Sequence, residues 1–266
     1  MSVPIIKKFN KFIIANCNQG QSKKGVETGG EFICNIFDIF PHFIIENNSF
    51  NDVDSETDNG YERLSTILEI YNKEKEITML LGGDHSLGIS SVDAFLNIYG
   101  DKLSVLWIDA HADINDHITS LSGNTHGMPL GYHHIKRTDK PVWRKNPQKL
   151  KSSQLYYWGI RDLDKAEEEL IQSENIGYSN TIDTNLMNFI NDSKYLLISF
   201  DVDSLDPKYM NSTGTMADKG LIPIDVKTII NYSFGKNKLI HLDVMEFNPL
   251  LGDVETSSNT LKEIFL

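Results

Sequence analysis

Disulfide chemistry has almost nothing to work with in this chain: its 266 residues hold two cysteines, Cys17 and Cys34. Two thiols exclude a disulfide-built scaffold, and their separation matches no metal-ligand spacing, so both read as buried thiols in a reducing compartment. Positive charge is scarce as well, with 25 Lys and Arg against 37 Asp and Glu and a formal net charge of −12. Nucleic acid and anionic membrane both require clustered basic residues, and this balance argues against either partner. No apolar run reaches the roughly 18 residues of a membrane-spanning helix. The N-terminal MSVPIIKKFNKFIIAN lacks the apolar segment of a secretory leader. The expectation is a soluble cytoplasmic protein.

What is present is ordinary for a globular chain, with 40% hydrophobic and 23% charged residues. A chain of this length can bury a full core without staples, and residues 1–266 read as a single domain. Short continuous apolar runs read as strands covered on both faces: Phe12–Ala15, Ile77–Leu81, Leu103–Ile108, Leu155–Trp158, Tyr195–Phe200 and Leu239–Leu242. Between them, Tyr61–Asn72 sets Leu64, Ile67, Leu68 and Tyr71 at helical spacing. Asp164–Ser173 and Pro223–Tyr232, the latter with Val226, Ile229 and Ile230 on one face, read the same way. This alternation predicts an α/β fold, a three-layer α-β-α arrangement around a mainly parallel sheet. Two stretches, Asn47–Gly60 and His133–Ser153 with its single Trp143, read as exposed loops.

Each strand candidate runs into residues capable of chemistry, as ligand sites at the carboxyl ends of parallel strands require. In WIDAHADIN, Asp109, His111 and Asp113 are spaced by two, so an extended chain would put their side chains on one side. SFDVDSLDP offers Asp201 and Asp203 with the same spacing, while Asp206 precedes Pro207 and suits a turn. His85 follows two glycines in LGGDHS. Each element alone has a plain structural reading: capping acids, solvated strand ends, a satisfied histidine. Together they are six candidate ligands, and four carboxylates buried side by side require cations. Two divalent ions meet that requirement and can acidify a water between them.

Four segments in this order resemble the ureohydrolase family: GGDHS at 82–86, DAHAD at 109–113, SFDVDSLDP at 199–207 and MEFNP at 245–249. The resemblance runs from GQSKKGVETGG at 20–30 to Gly252. It implies two manganese ions per chain. His85, Asp109 and Asp113 would hold one, His111 and the DVD acids the other, with Asp109 and Asp201 bridging. It also implies a homo-oligomer, a trimer or hexamer, although only SSNTLKEIFL remains after the last motif for a closing helix.

Within the family, the stretch INDHITSLSGNTHGMPLG resembles arginases in its DIN and SGNxHG elements. The resemblance makes Asn115, Ser120, Ser122 and Asn124 contacts for the α-carboxylate of L-arginine, with neutral donors suited to that task. His126 becomes the proton shuttle. GIRDLDKAEEE supplies Asp164 for the α-ammonium, with Glu167 as its helper and Glu168 and Glu169 on a solvated helix face. Glu246 pairs with the guanidinium, and Thr215 in TGT touches Glu246 or the metal acids. The implied reaction is hydrolysis of L-arginine to L-ornithine and urea. An agmatinase or formiminoglutamase, or a quiet metal-binding member, are the alternatives. His117, His133 and His134 match no role and read as surface residues, and His241 reads as a satisfied core histidine. The chain departs from the family pattern at Gly30, where proline is usual and a turn is expected, and at Met216-Ala217-Asp218-Lys219, beside the site.

Overall fold

The computed structural model describes residues 3–55, 59–137, 141, 143–144 and 148–266. Eight strands form one sheet: β1 Lys11–Ala15, β2 Phe43–Ile45, β3 Thr78–Gly82, β4 Leu103–Ile108, β5 Leu155–Trp158, β6 Gly177–Ser179, β7 Tyr195–Asp201 and β8 Leu239–Met245. Their order is β2-β1-β3-β8-β7-β4-β5-β6, and every pairing is parallel. Helices α1 Gly29–Phe37, α2 Gly60–Lys73, α3 Gly88–Tyr99, α4 Lys165–Ser173, α5 Thr184–Asp192, α6 Pro223–Gly235 and α7 Val254–Phe265 cover both faces. The expected three-layer α/β architecture is therefore the observed one. Among the described residues no helix is long and apolar enough to cross a membrane.

The strands are mainly apolar because side chains alternate between two cores, one on each face of the sheet. Leu80 packs with Leu64 and Leu68 of α2 and with Val92 and Phe95 of α3. Leu81, its neighbour, packs instead with Ile33 of α1, Ile229 of α6 and Leu261 of α7. Each such buried side chain contributes about 1.5–3 kcal/mol.

Five of the six expected apolar runs match strands to within a residue or two, and β8 continues three residues past Leu242, to Met245. The two edge strands β2 and β6, three residues each, escaped the sequence reading, as did α1, α3 and α5. Both loop expectations need correction. Phe50 and Val53 are buried within Asn47–Gly60, and Trp143, Arg144 and Leu150 within His133–Ser153, so polar composition concealed anchors that plug into the core. Residues 56–58, 138–140, 142 and 145–147 of those stretches lie outside the described residues. His133 and His134 are fully buried, not superficial: His133 Nε2 donates to Ile89 O at 2.8 Å and His134 Nε2 to Ser152 Oγ at 3.1 Å. Gly30 sits in the first turn of α1 and not in a loop turn. A Cβ there would fall 2.4 Å from Leu81 O, so the helix approaches the sheet too closely for any side chain.

Candidate metal centre

Four consecutive central strands, β3, β8, β7 and β4, deliver their carboxyl ends to one place. After β3, Asp84 caps a short turn by accepting from Ser86 N at 3.0 Å, and this turn carries His85. After β4 come Asp109, His111 and Asp113; β7 ends in Asp201, with Asp203 two residues on; β8 leads to Glu246. Spacing by two accounts for this convergence only in part. Asp113 has φ +51° and Glu246 φ +65°, left-handed values uncommon for non-glycine residues, so the chain turns sharply at both. Tertiary contacts, not strand alternation, bring Asp113 back to the cluster.

His85 Nδ1 lies 3.0 Å from Asp109 Oδ2, 3.1 Å from Asp113 Oδ2 and 3.0 Å from Asp201 Oδ2. His111 Nδ1 lies 3.4 Å from Asp109 Oδ1 and 3.3 Å from Asp203 Oδ2. Two ligand groups result, His85–Asp109–Asp201 and Asp109–His111–Asp203, sharing Asp109. Among the described residues no lysine or arginine pairs with any of the four carboxylates. His85 Nδ1 is buried without a hydrogen bond of acceptable geometry. Orphaned imidazole nitrogen and clustered carboxylate oxygen, with no lysine or arginine paired to these acids among the described residues, constitute a donor set that fits divalent metal.

The electrostatics describe the same deficit. Burial and the charges of Asp203 and Asp109 push the Asp201 carboxyl well above its ordinary range. Burial and Asp109 push Asp113 up to about 6. Burial works against a charged His111, but Asp203 and Asp109 outweigh it and hold the ring protonated. Without metal, protons supply the positive charge that the carboxylates require.

A cavity of about 190 Å³ opens above the cluster, lined among others by His85, His111, Asp113, Asp201 and Thr215. Of the residues expected to grip substrate, Asn115, Ser120, Ser122, Asp164 and Glu167 line it too, as does His126, the expected proton shuttle. Asn124 does not; it faces a neighbouring cavity with Gln19, Gln21 and Asn51. Asn115 Nδ2 is already committed to Asp164 Oδ2 at 2.7 Å, which leaves its Oδ1 without a donor. Asp164 Oδ1 caps α4 by accepting from Glu167 N at 3.0 Å, and Glu167 Oε2 accepts from Asp164 N at 3.2 Å. Burial first, then the charge of Asp113, pushes Glu167 up to about 8. Thr215 donates to Asp203 Oδ2 at 2.7 Å, one of the candidate ligand acids and not Glu246.

Glu246 is buried below the cavity lining. Its Oε1 accepts from His85 N at 2.9 Å and meets His126 Nδ1 at 3.2 Å, while Gln21 Nε2 donates to Oε2 at 2.7 Å. Burial opposes protonation of His126, but Glu246 overrides it and lifts the ring to about 9.

Three contributors were not among the residues expected from the sequence. Gln21 holds Glu246. Trp107 stacks on the His85 ring at 4.3 Å and donates to Asp109 Oδ2 at 3.0 Å. Arg161, inside the GIRD motif, donates to the carbonyl oxygens of Gly159, Asp203, Ser204, Leu205, Ala217 and Asp218. That fork ties the divergent Met216–Lys219 segment to the Asp203 turn. The arginine of GIRD was the available clue.

Comparison with known proteins places this arrangement. The model of the arginase family matches residues 15–265. An arginase of Emericella nidulans is 34% identical over 215 residues, which cover 74% of this chain and 66% of that protein. A crystal structure of arginase from Bacillus subtilis superposes with a TM-score of 0.82 at 24% identity, covering 97% of this chain and 96% of that one. The agmatine ureohydrolase of Thermoplasma volcanium superposes with a TM-score of 0.72 at 19% identity, covering 100% and 94%. The fold is thus common to ureohydrolases of different substrates, whereas the family match extends over nearly the whole chain, ligand-bearing strand ends included, and on that ground the chain belongs to the arginase family.

Proposed function

We propose that this chain hydrolyses the guanidinium group of L-arginine to L-ornithine and urea, using two manganese ions. One observation carries the reading: the two ligand groups that share Asp109 lie beneath a cavity whose walls hold neutral donors and the carboxyl groups of Asp164 and Glu167. His85, Asp109, Asp113 and Asp201 would hold one cation, and His111, Asp109, Asp201 and Asp203 the other. Bound divalent cations supply the charge that makes a water nucleophilic near neutral pH.

The chain's own residues account for the remaining steps. The hydroxyls of Ser120 and Ser122 are donors for an α-carboxylate, and Asp164 with the unpaired Oδ1 of Asn115 are acceptors for an α-ammonium. An amino acid therefore has a place for each end of its head group. Glu246 balances the guanidinium charge, and Gln21 must yield Oε2 for a bidentate pairing. His126, protonated at neutral pH through Glu246, gives its proton to the departing ornithine nitrogen. Two buried free thiols are consistent with a reducing cytoplasm.

The test combines metal analysis with product release. Purified protein loaded with manganese is expected to retain two equivalents per chain and to release urea from arginine far faster than from agmatine. Faster release from agmatine, or release of formamide from formiminoglutamate, would reassign the substrate. Two bound equivalents with no turnover of any of the three would point to a metal-binding member without activity.

A further inference from the structure

His241 stands mid-strand on β8, fully buried and remote from the cavity. Its Nε2 lies 2.6 Å from Asp243 Oδ1, and its Nδ1 lies 2.6 Å from Thr78 Oγ1. Asp243 also accepts from Ser91 Oγ at 2.8 Å and from Ser199 Oγ at 2.9 Å. Ser199 Oγ in turn lies 3.0 Å from Nε2 of His85. Sheet register creates this row: Thr78 pairs with His241 across β3 and β8, Asp243 pairs with Ser199 across β8 and β7, and the two-residue period puts His241 and Asp243 on one face.

With Asp243 as a carboxylate and His241 as a neutral ring, the hydrogens along the row have one consistent assignment. Ser199 commits its only hydrogen to Asp243, so its oxygen accepts from His85 Nε2–H. His85 is thereby left with Nδ1 as the nitrogen facing Asp109, Asp113 and Asp201, the buried atom without a hydrogen bond. At the far end His241 donates from Nε2 to Asp243 and accepts at Nδ1 from Thr78. A metal-binding imidazole is commonly oriented through its other nitrogen in this way.

We propose that His241 is a positioning residue for His85, acting through Asp243 and Ser199 to fix the ring with Nδ1 turned toward the cation. This inference rests on the two-cation reading above. Packing alone does not account for a histidine here. The slot beside Phe95, ring centroids 4.8 Å apart, would accept an apolar side chain without the desolvation that a buried imidazole and carboxylate incur. The row touches only one half of the site. His111 has Asp109, Asp203 and Asp162 as its neighbours and no link to Asp243. Loss of His241 should therefore weaken the His85-side cation and spare the other.

The experiment uses the full chain as wild type, His241→Leu, His241→Gln and Ser199→Ala, with Thr78→Val as the milder variant should His241→Leu fail to fold. Two readouts are taken: stepwise manganese affinity against a competing chelator, and exchange of the His85 Nε2–H with solvent in metal-free, 15N-histidine-labelled protein. The expected result for His241→Leu is a roughly 10- to 100-fold weaker affinity at one of two sites, with Nε2–H exchange accelerated. His241→Gln, which keeps an N–H for Asp243, should recover most of both, and Ser199→Ala should reproduce both. Unchanged exchange in folded His241→Leu overturns the proposal, as does equal weakening at both sites. If wild type binds no manganese, the proposed function fails, and the exchange measurement alone still decides the role of His241.

Discussion

Two groups of histidines lie within the same molecule with opposite electrostatics, the first at the cavity, where His111 and His126 are partly exposed, and the second fully buried. His85, His111 and His126 sit among carboxylates at the strand ends, and each is driven toward its protonated form. His133 and His134 lie in the turn that follows the cavity wall and are driven toward neutrality. Burial disfavours charge in both places. What differs is company: Asp109, Asp113, Asp201, Asp203 and Glu246 outweigh desolvation in the first group. In the second, burial is reinforced by Arg144 at His133, and at His134 the opposing Glu174 is offset by Arg137, Lys136 and Lys149. A buried histidine therefore reveals its role through its neighbours, and those neighbours come from distant parts of the chain.

The largest effect expected is at the carboxylates themselves. Asp201→Asn should reduce urea release by roughly a thousandfold or more and lower manganese below two equivalents per chain, as read by metal analysis. A fully loaded and active variant would remove the charge argument on which the first group rests. His126→Asn should lower kcat by roughly 10²–10⁴ while leaving the metal content intact, because His126 bonds to Glu246 and to none of the proposed ligands.

Asp164→Asn tests the cavity wall. An amide can still cap α4, so the fold should survive while KM for arginine rises by about tenfold and kcat changes much less. An equal fall in both parameters would mean that Asp164 acts on the metal floor. The second histidine group makes its own prediction. His134 accepts from Lys136 N at its Nδ1, so protonation there costs that bond, and the folded ring titrates at about 4 against an ordinary 6.5. Its contribution is complete above pH 6.5 and is lost as the pH falls from there toward 4, because the unfolded chain takes up the proton first. On the order of 3 kcal/mol is at stake, and His134→Gln should flatten that part of the stability curve in urea titrations. The smallest change belongs to Asn124→Ala. With its side chain in the neighbouring cavity, KM should move by less than about twofold; a tenfold rise would return Asn124 to the carboxylate contacts.

Strand ends were the legible part of this molecule. A continuous apolar run buried on both faces admits few polar residues, so those that end it, such as Asp109, Asp201 and Glu246, stand out in the chain itself. Helix α2 announced itself through Leu64 and Leu68, whereas α3 is buried over most of its length, and its Gly-Ile-Ser-Ser-Val start shows no amphipathic period. Residues supported only by contacts across the sheet were silent: Gln21 lies 225 positions from Glu246, and Trp143 reads as a loop aromatic although its Nε1 donates to Val53 O at 3.0 Å. Asn124 and His126 share one motif yet face different cavities, because the chain passes from extended backbone at Asn124 into the short turn Thr125–Gly127.

The amino-acid order by itself determined the six inner strands, that they are covered on both faces, and which acids and imidazoles end them, since hydrophobic period and local chemistry need no partner to be read. Tertiary structure alone decided that β8 and β7 return to the centre of the sheet between β3 and β4. That placement makes four strand ends adjacent, turns isolated acids into one charged cluster, and puts His241 in line with His85. Strand order depends on which faces bury the most apolar surface together, a property of the assembled chain and not of any segment in it.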